Sequence, residues 1–151
     1  MNETSGTDSI SVRVGARVTV LCWQEAAVIV GSAREAADLL GPRFAQAEGE
    51  KLVILHLDGE RRVIAVAEQP AEFEETVLLP MRTIFAEALK LGSAGLVIAH
   101  NHPGGDPQPS QADIDATRRI AETAASLGIR LHDHLVFAGD DCLSFRDLGL
   151  L

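Results

Sequence analysis

Residues 95–120 read GLVIAHNHPGGDPQPSQADIDATRRI, and the change of character within this stretch decides the fold around it. Gly95 to Ala99 is a short, wholly apolar run, which predicts a buried strand. His100 follows at once, with His102 two residues on. In extended backbone that spacing turns both imidazoles to the same side. Pro103-Gly104-Gly105-Asp106-Pro107 then forces an irregular turn. Ser110 is a natural N-cap for a helix running through Ile114, Ile120 and Ala124 to Gly128. A strand, two histidines, a rigid loop and a helix start are thus folded into one corner, a usual place for chemistry.

Ser110 and Asp113 admit two readings. Ser-x-x-acid is a common helix-start signal, so both can serve as caps. Alternatively Asp113 turns inward and joins His100 and His102 as the third ligand of a zinc ion. Three protein ligands with water in the fourth position is the catalytic arrangement of zinc. Such a site also needs a carboxylate to take the proton of the water. Glu48 and Glu50, before the run KLVILHL, and Glu87, in a helix, are the candidate acids.

Outward from this corner, Lys51–Leu57 reads as a buried strand, Asp58-Gly59 as a turn, and Arg62–Ala67 as the returning strand of a hairpin. Ser32-Ala33-Arg34-Glu35 is a capping-box pattern opening a short helix that ends near Gly41-Pro42. Met81–Leu91 is predicted helical, with Gly92 as its C-terminal cap. Arg130–Phe137 is a strand, Gly139-Asp140 a turn, and 143–151 a short terminal element. Val12–Cys22 alternates loosely, as a strand does, and residues 1–9 are polar and frayed. His132 and His134 face one way in a regular strand and Asp133 the other; all three read as structural, and His56 as a partly buried strand histidine. Alternation of strands and helices with one hairpin predicts an α/β fold, a mixed β-sheet with helices packed on it.

The chain has 151 residues, 46% of them apolar and only 4% aromatic, so one domain with an aliphatic core is expected. A formal charge of −9 opposes direct binding to nucleic acid. Arg61-Arg62 and Arg118-Arg119 are the seeds of any basic patch, with a solvated face the plainer reading. Two distant cysteines, Cys22 and Cys142, make no disulfide framework. With no unbroken apolar run for a leader or a bilayer span, a cytoplasmic protein without membrane contact is expected.

HxHP, a Pro/Gly loop and SxxD, preceded by a glutamate before a strand, resemble the JAMM (JAB/MPN) metalloprotease signature, and most closely its RadC-like branch. HNHPGGDPQPSQADIDATRRI is similar to that family's central motif, LGIRLHDHLVFAGDDCLSFRDLGLL to its C-terminal end, and EKLVILHLD and MRTIFAEAL to its glutamate-led strand and arginine-led helix. The resemblance covers about residues 28–151 and leaves 1–27 as an N-terminal extension of unknown role. It implies an α/β sandwich of the cytidine-deaminase-like kind. It also implies one Zn2+ per chain held by His100, His102 and Asp113, Glu50 as general base, and Ser110 as donor to the oxyanion. Glu50, eight residues before Asp58, has the family's spacing. Met81 stands where the family usually has proline, and EQPAEFEETVLLP (residues 68–80) lacks its glycine-containing turn.

The function these residues imply is a zinc-dependent hydrolase of metallopeptidase or isopeptidase type, acting on a peptide or protein substrate. The alternatives are a RadC-like DNA-repair-associated protein or a non-catalytic interaction module. A zinc deaminase, which shares the inferred fold, is disfavoured, because its HxE and PCxxC do not occur.

Overall fold

The computed structural model describes residues 9–13, 19–23, 28–70 and 81–151, with side chains from 28–68 and 81–151. Among the described residues seven strands, β1 (Ser9–Arg13), β2 (Thr19–Trp23), β3 (Lys51–Leu57), β4 (Val63–Pro70), β5 (Gly95–Asn101), β6 (Arg130–Ala138) and β7 (Asp141–Ser144), form one sheet in the order β1-β2-β4-β3-β5-β6-β7. Every neighbouring pair is antiparallel except β5 and β6. Parallel neighbours need a crossover, and α3 (Gln111–Ser126) supplies it. The expected mixed sheet is therefore present.

Helices cover both faces, which is why β3 and β5 read as continuous apolar runs rather than alternating ones. Leu52, Ile54, Leu96 and Ile98 pack with residues of α2 (Met81–Leu91) and α3. Val53, Leu55, Val97 and Ala99 pack on the opposite face with Ala36 and Leu40 of α1 (Ala33–Leu40). The core is mainly aliphatic, as composition requires. Gly92 and Gly128, at φ +66° and +71°, end α2 and α3 in the left-handed conformation that glycine adopts without strain.

Four expectations are corrected. The alternating stretch 12–22 belongs to two antiparallel strands, β1 and β2; residues 14–18 between them lie outside the described residues, as do 1–8 of the polar start and 71–80 of the glycine-lacking segment 68–80. The terminal element begins as a strand at Asp141, pairing with the end of β6. His56 is fully buried, its Nδ1 2.9 Å from the Ser93 hydroxyl. Burial lowers its pKa to about 4, so the ring is neutral at pH 7. Finally, β6 is not regular. Its register against β5 slips between Leu96 and Val97, so that Leu131 and Asp133, not adjacent residues, take consecutive positions. The extra residue is His132. It reverses the expected parity, so that His132 and Asp133 line one cleft while His134 turns toward α3.

Candidate metal centre

His100 lies within β5, not after it as expected; the strand runs to Asn101 and is buried throughout. Its side chain falls on the same face as Leu96 and Ile98, toward α3. His102 is fixed just beyond, its backbone N–H donating to the Phe137 carbonyl at 2.8 Å. The loop then returns the chain so that α3 starts over both rings.

The nitrogen Nε2 of His100 lies 3.0 Å from Nε2 of His102. One Asp113 oxygen is 3.4 Å from the former, and the other is 3.2 Å from the latter. In tetrahedral zinc sites with donors about 2.0–2.1 Å from the metal, neighbouring donor atoms stand about 3.3 Å apart. Among the described residues, this is the one group of three or more His, Cys, Asp or Glu side chains able to share an ion. The two readings of Ser110 and Asp113 prove compatible. Ser110 Oγ accepts the Asp113 amide at 3.0 Å, and the Asp113 oxygen nearest His102 accepts the Ser110 amide at 2.9 Å.

Surrounding bonds fix which ring nitrogens face the cluster. His102 Nδ1 is 2.8 Å from the Asp106 carbonyl oxygen, which only accepts, so Nδ1 carries the proton and Nε2 is a bare lone pair. His100 is fixed through a longer chain. Thr117 Oγ1 donates to the Asp113 backbone carbonyl at 2.6 Å and so accepts from His134 Nδ1 at 2.6 Å. His134 Nε2 is then an acceptor, and His100 Nδ1 donates to it at 2.7 Å. His100 Nε2 is left bare as well. His134, stacked on Phe145 and held neutral at pH 7 by burial, keeps that orientation. Two lone pairs and a carboxylate converging on one point repel one another unless a cation lies between them, so the donor set fits a divalent metal.

The remaining sequence candidates do not join this cluster. Glu50 is exposed and directly precedes β3. The β3–β5 ladder ends where Leu52 pairs with His100, and beyond that end lies Glu50. The buried side chain of Asn101 grips the backbone on both sides of it. Its Oδ1 accepts from the Lys51 amide at 2.7 Å, and its Nδ2 donates to the Gly49 carbonyl at 3.0 Å. Glu48 lies further out on the exposed approach to β3. Glu87 is buried in α2, with burial raising its pKa. The C-terminal end of α2 leads to Ala94, whose amide bonds Leu57 at the far end of β3 from Glu50. Asn101, Thr117 and His134 carry no site signal in the local sequence pattern. Only the pairing of Asp133 with His134 in the C-terminal motif points toward the last.

The profile of the RadC-like JAB domain matches residues 30–150. This chain belongs to the RadC-like JAB family. Its relatives include UPF0758 proteins of Ruegeria pomeroyi, 41% identical over 108 residues, and of Pelobacter propionicus, 36% identical over 121. Those alignments cover 72% and 80% of this chain but 48% and 52% of the relatives. A UPF0758 protein of Rhodobacter capsulatus is 44% identical over 102 residues, 68% of this chain and 48% of its own. The RadC-like JAB domain described here thus spans about half the length of these curated relatives. Among its described residues no helix is long and apolar enough to cross a membrane.

Proposed function

We propose that this RadC-like JAB domain is a zinc-dependent hydrolase of the metallopeptidase or isopeptidase type, with a peptide or protein as substrate. The observation that carries it is the orientation of the rings: both Nε2 lone pairs meet the Asp113 carboxylate, and each opposite nitrogen is tied to an acceptor. Ligands held by such outer bonds are the mark of a prepared metal site. Zinc bound there supplies a Lewis acid for the scissile carbonyl and for water.

The chain's own residues supply the rest. Glu50 takes the proton of the attacking water at its carboxylate and returns it to the leaving amine. Its place just beyond the His100 end of the β3–β5 ladder, with Asn101 holding the backbone on both sides of it, supports that role. Ser110 Oγ is engaged as an acceptor by the Asp113 amide, which leaves the hydroxyl proton free for a developing oxyanion.

Metal analysis of wild type against His102→Ala is expected to show one zinc per chain in the first and none in the second. Glu50→Gln should keep the zinc and lose about 10²–10⁴-fold in turnover on a verified substrate. Full activity in that variant removes Glu50 from the mechanism.

A further inference from the structure

On the opposite face of the sheet from the metal centre, and at the other end of β5, a second cleft gathers positive charge. It has a volume of about 110 Å3 and lies between the turn into α1 and the start of β6. Three arginines from separate segments line it: Arg61 from the β3–β4 turn, Arg130 from the first position of β6, and Arg146 from beyond β7. His132 sits among them because of the irregularity in β6. Its ring rests on Gly95, where a Cβ would come within 2.4 Å of Nε2, so the imidazole has a fixed seat.

Two of the guanidinium groups are anchored by backbone. Arg61 Nη1 donates to the Gly31 carbonyl at 3.0 Å, and Arg146 Nε to the His132 carbonyl at 2.7 Å. Each bond uses one of five N–H groups and leaves the rest of the fork available. Asp133 is the one carboxylate among the described lining residues, and both its oxygens are engaged within the chain rather than by the arginine forks. Its Oδ1 accepts the amides of His134 and Arg146 at 2.7 and 3.1 Å, and its Oδ2 accepts the Ser144 hydroxyl at 2.5 Å. Among the described residues none of the three arginines has a carboxylate ion-pair partner, whereas Arg43, Arg62 and Arg118 each do. Burial, helped by all three arginines, lowers the His132 pKa to about 4. The N-terminus of α1 contributes little, since Glu35 covers the amides of Gly31 and Ser32 at 2.6 and 3.1 Å.

We propose that this cleft binds a phosphate group, free or as a monoester. Three arginines lining one small hollow, all close enough to act on His132, match a tetrahedral oxyanion of about −1.5 to −2 charge. Local mutual repulsion of the arginines is what the anion relieves, within a chain whose net charge is −9. No step of the proposed hydrolysis uses the site.

Sodium phosphate titrated into the full, zinc-loaded chain at constant ionic strength tests it, read by NMR on the His132 ring and the amides of Gly31 and Arg130. Saturable shifts there are expected, with a midpoint that rises about tenfold or more in the Arg61→Gln/Arg130→Gln variant at unchanged zinc content. Phenyl phosphate matching inorganic phosphate assigns the cleft to monoesters, and its exclusion assigns the cleft to the free ion. Shifts that never saturate, saturation confined to His100 and His102 (phosphate on the metal), or an unchanged midpoint in the double variant overturns the proposal.

Discussion

Two helices of this chain begin with the same local grammar and end up in different chemistry. At α1, Ser32 Oγ accepts the Glu35 amide at 3.2 Å, and Glu35 closes back on the backbone. At α3, Ser110 and Asp113 make the same reciprocal pair. Glutamate is longer by one methylene, so its carboxylate reaches past the N-cap and takes two amides with one oxygen, sealing the helix end. Aspartate reaches only the N-cap amide. Its other oxygen faces His100 of β5, and the capping oxygen itself lies against His102 just beyond that strand. A capping box is therefore a local device whose carboxylate stays free for other work only when the side chain is short and the neighbouring strand presents a partner.

A matched pair of substitutions separates the two helix starts most strongly. Asp113→Asn and Glu35→Gln both keep an acceptor for the cap and remove only charge. Asp113→Asn is expected to weaken zinc binding by more than about 100-fold, in competition with a chromophoric chelator, while Glu35→Gln leaves it unchanged. Zinc at about 100 times its dissociation constant stabilises wild type by about 2.7 kcal/mol, and that increment should fall to about 0.4 kcal/mol or less in Asp113→Asn alone. Equal zinc affinity in the two variants would make the Asp113 carboxylate a cap and nothing more. A smaller effect is expected at His134. Phenylalanine there keeps the stacking on Phe145 but removes the acceptor for His100 Nδ1, and with it the fixed tautomer. Zinc affinity should fall about 10–100-fold.

The difference between the two helix starts also marks what a linear reading can reach. His100, His102 and Asp113 lie within 14 residues, and strand parity, loop rigidity and helix capping were enough to bring them together. Burial on both faces of β3 and β5 was legible as well, because an unbroken apolar run in a strand leaves neither face fit for water. His134 was not legible as a ring-holder. Its bond to His100 crosses 34 residues, and the parity of HDH misled because a single slip in β6 reverses it. The division of 12–22 between β1 and β2 escaped because apolar alternation is found in both strands. The arginine cleft escaped for a related reason. Adjacent pairs are what stand out along a chain, yet Arg61 leaves its neighbour Arg62 to Asp58 and Glu60 and joins Arg130 and Arg146 instead.

The finest distinction between the helix starts lies in their serines. Ser32→Ala and Ser110→Ala each remove the acceptor for one backbone amide, and each should cost about 1 kcal/mol by urea denaturation of the metal-free protein. Near-equal losses are expected, because the two hydroxyls do the same local work at 3.2 and 3.0 Å. A small divergence should follow when zinc is added. Asp113 is held at once by the helix start and by the histidines, so loosening the cap frees its carboxylate to wander and the ion must reorder it. Ser110→Ala should then weaken zinc by no more than about tenfold, some 1.4 kcal/mol of coupling, and Ser32→Ala should show none. Zinc loss in Ser110→Ala as large as in Asp113→Asn would mean that the cap, rather than the converging histidines, chiefly positions the third ligand.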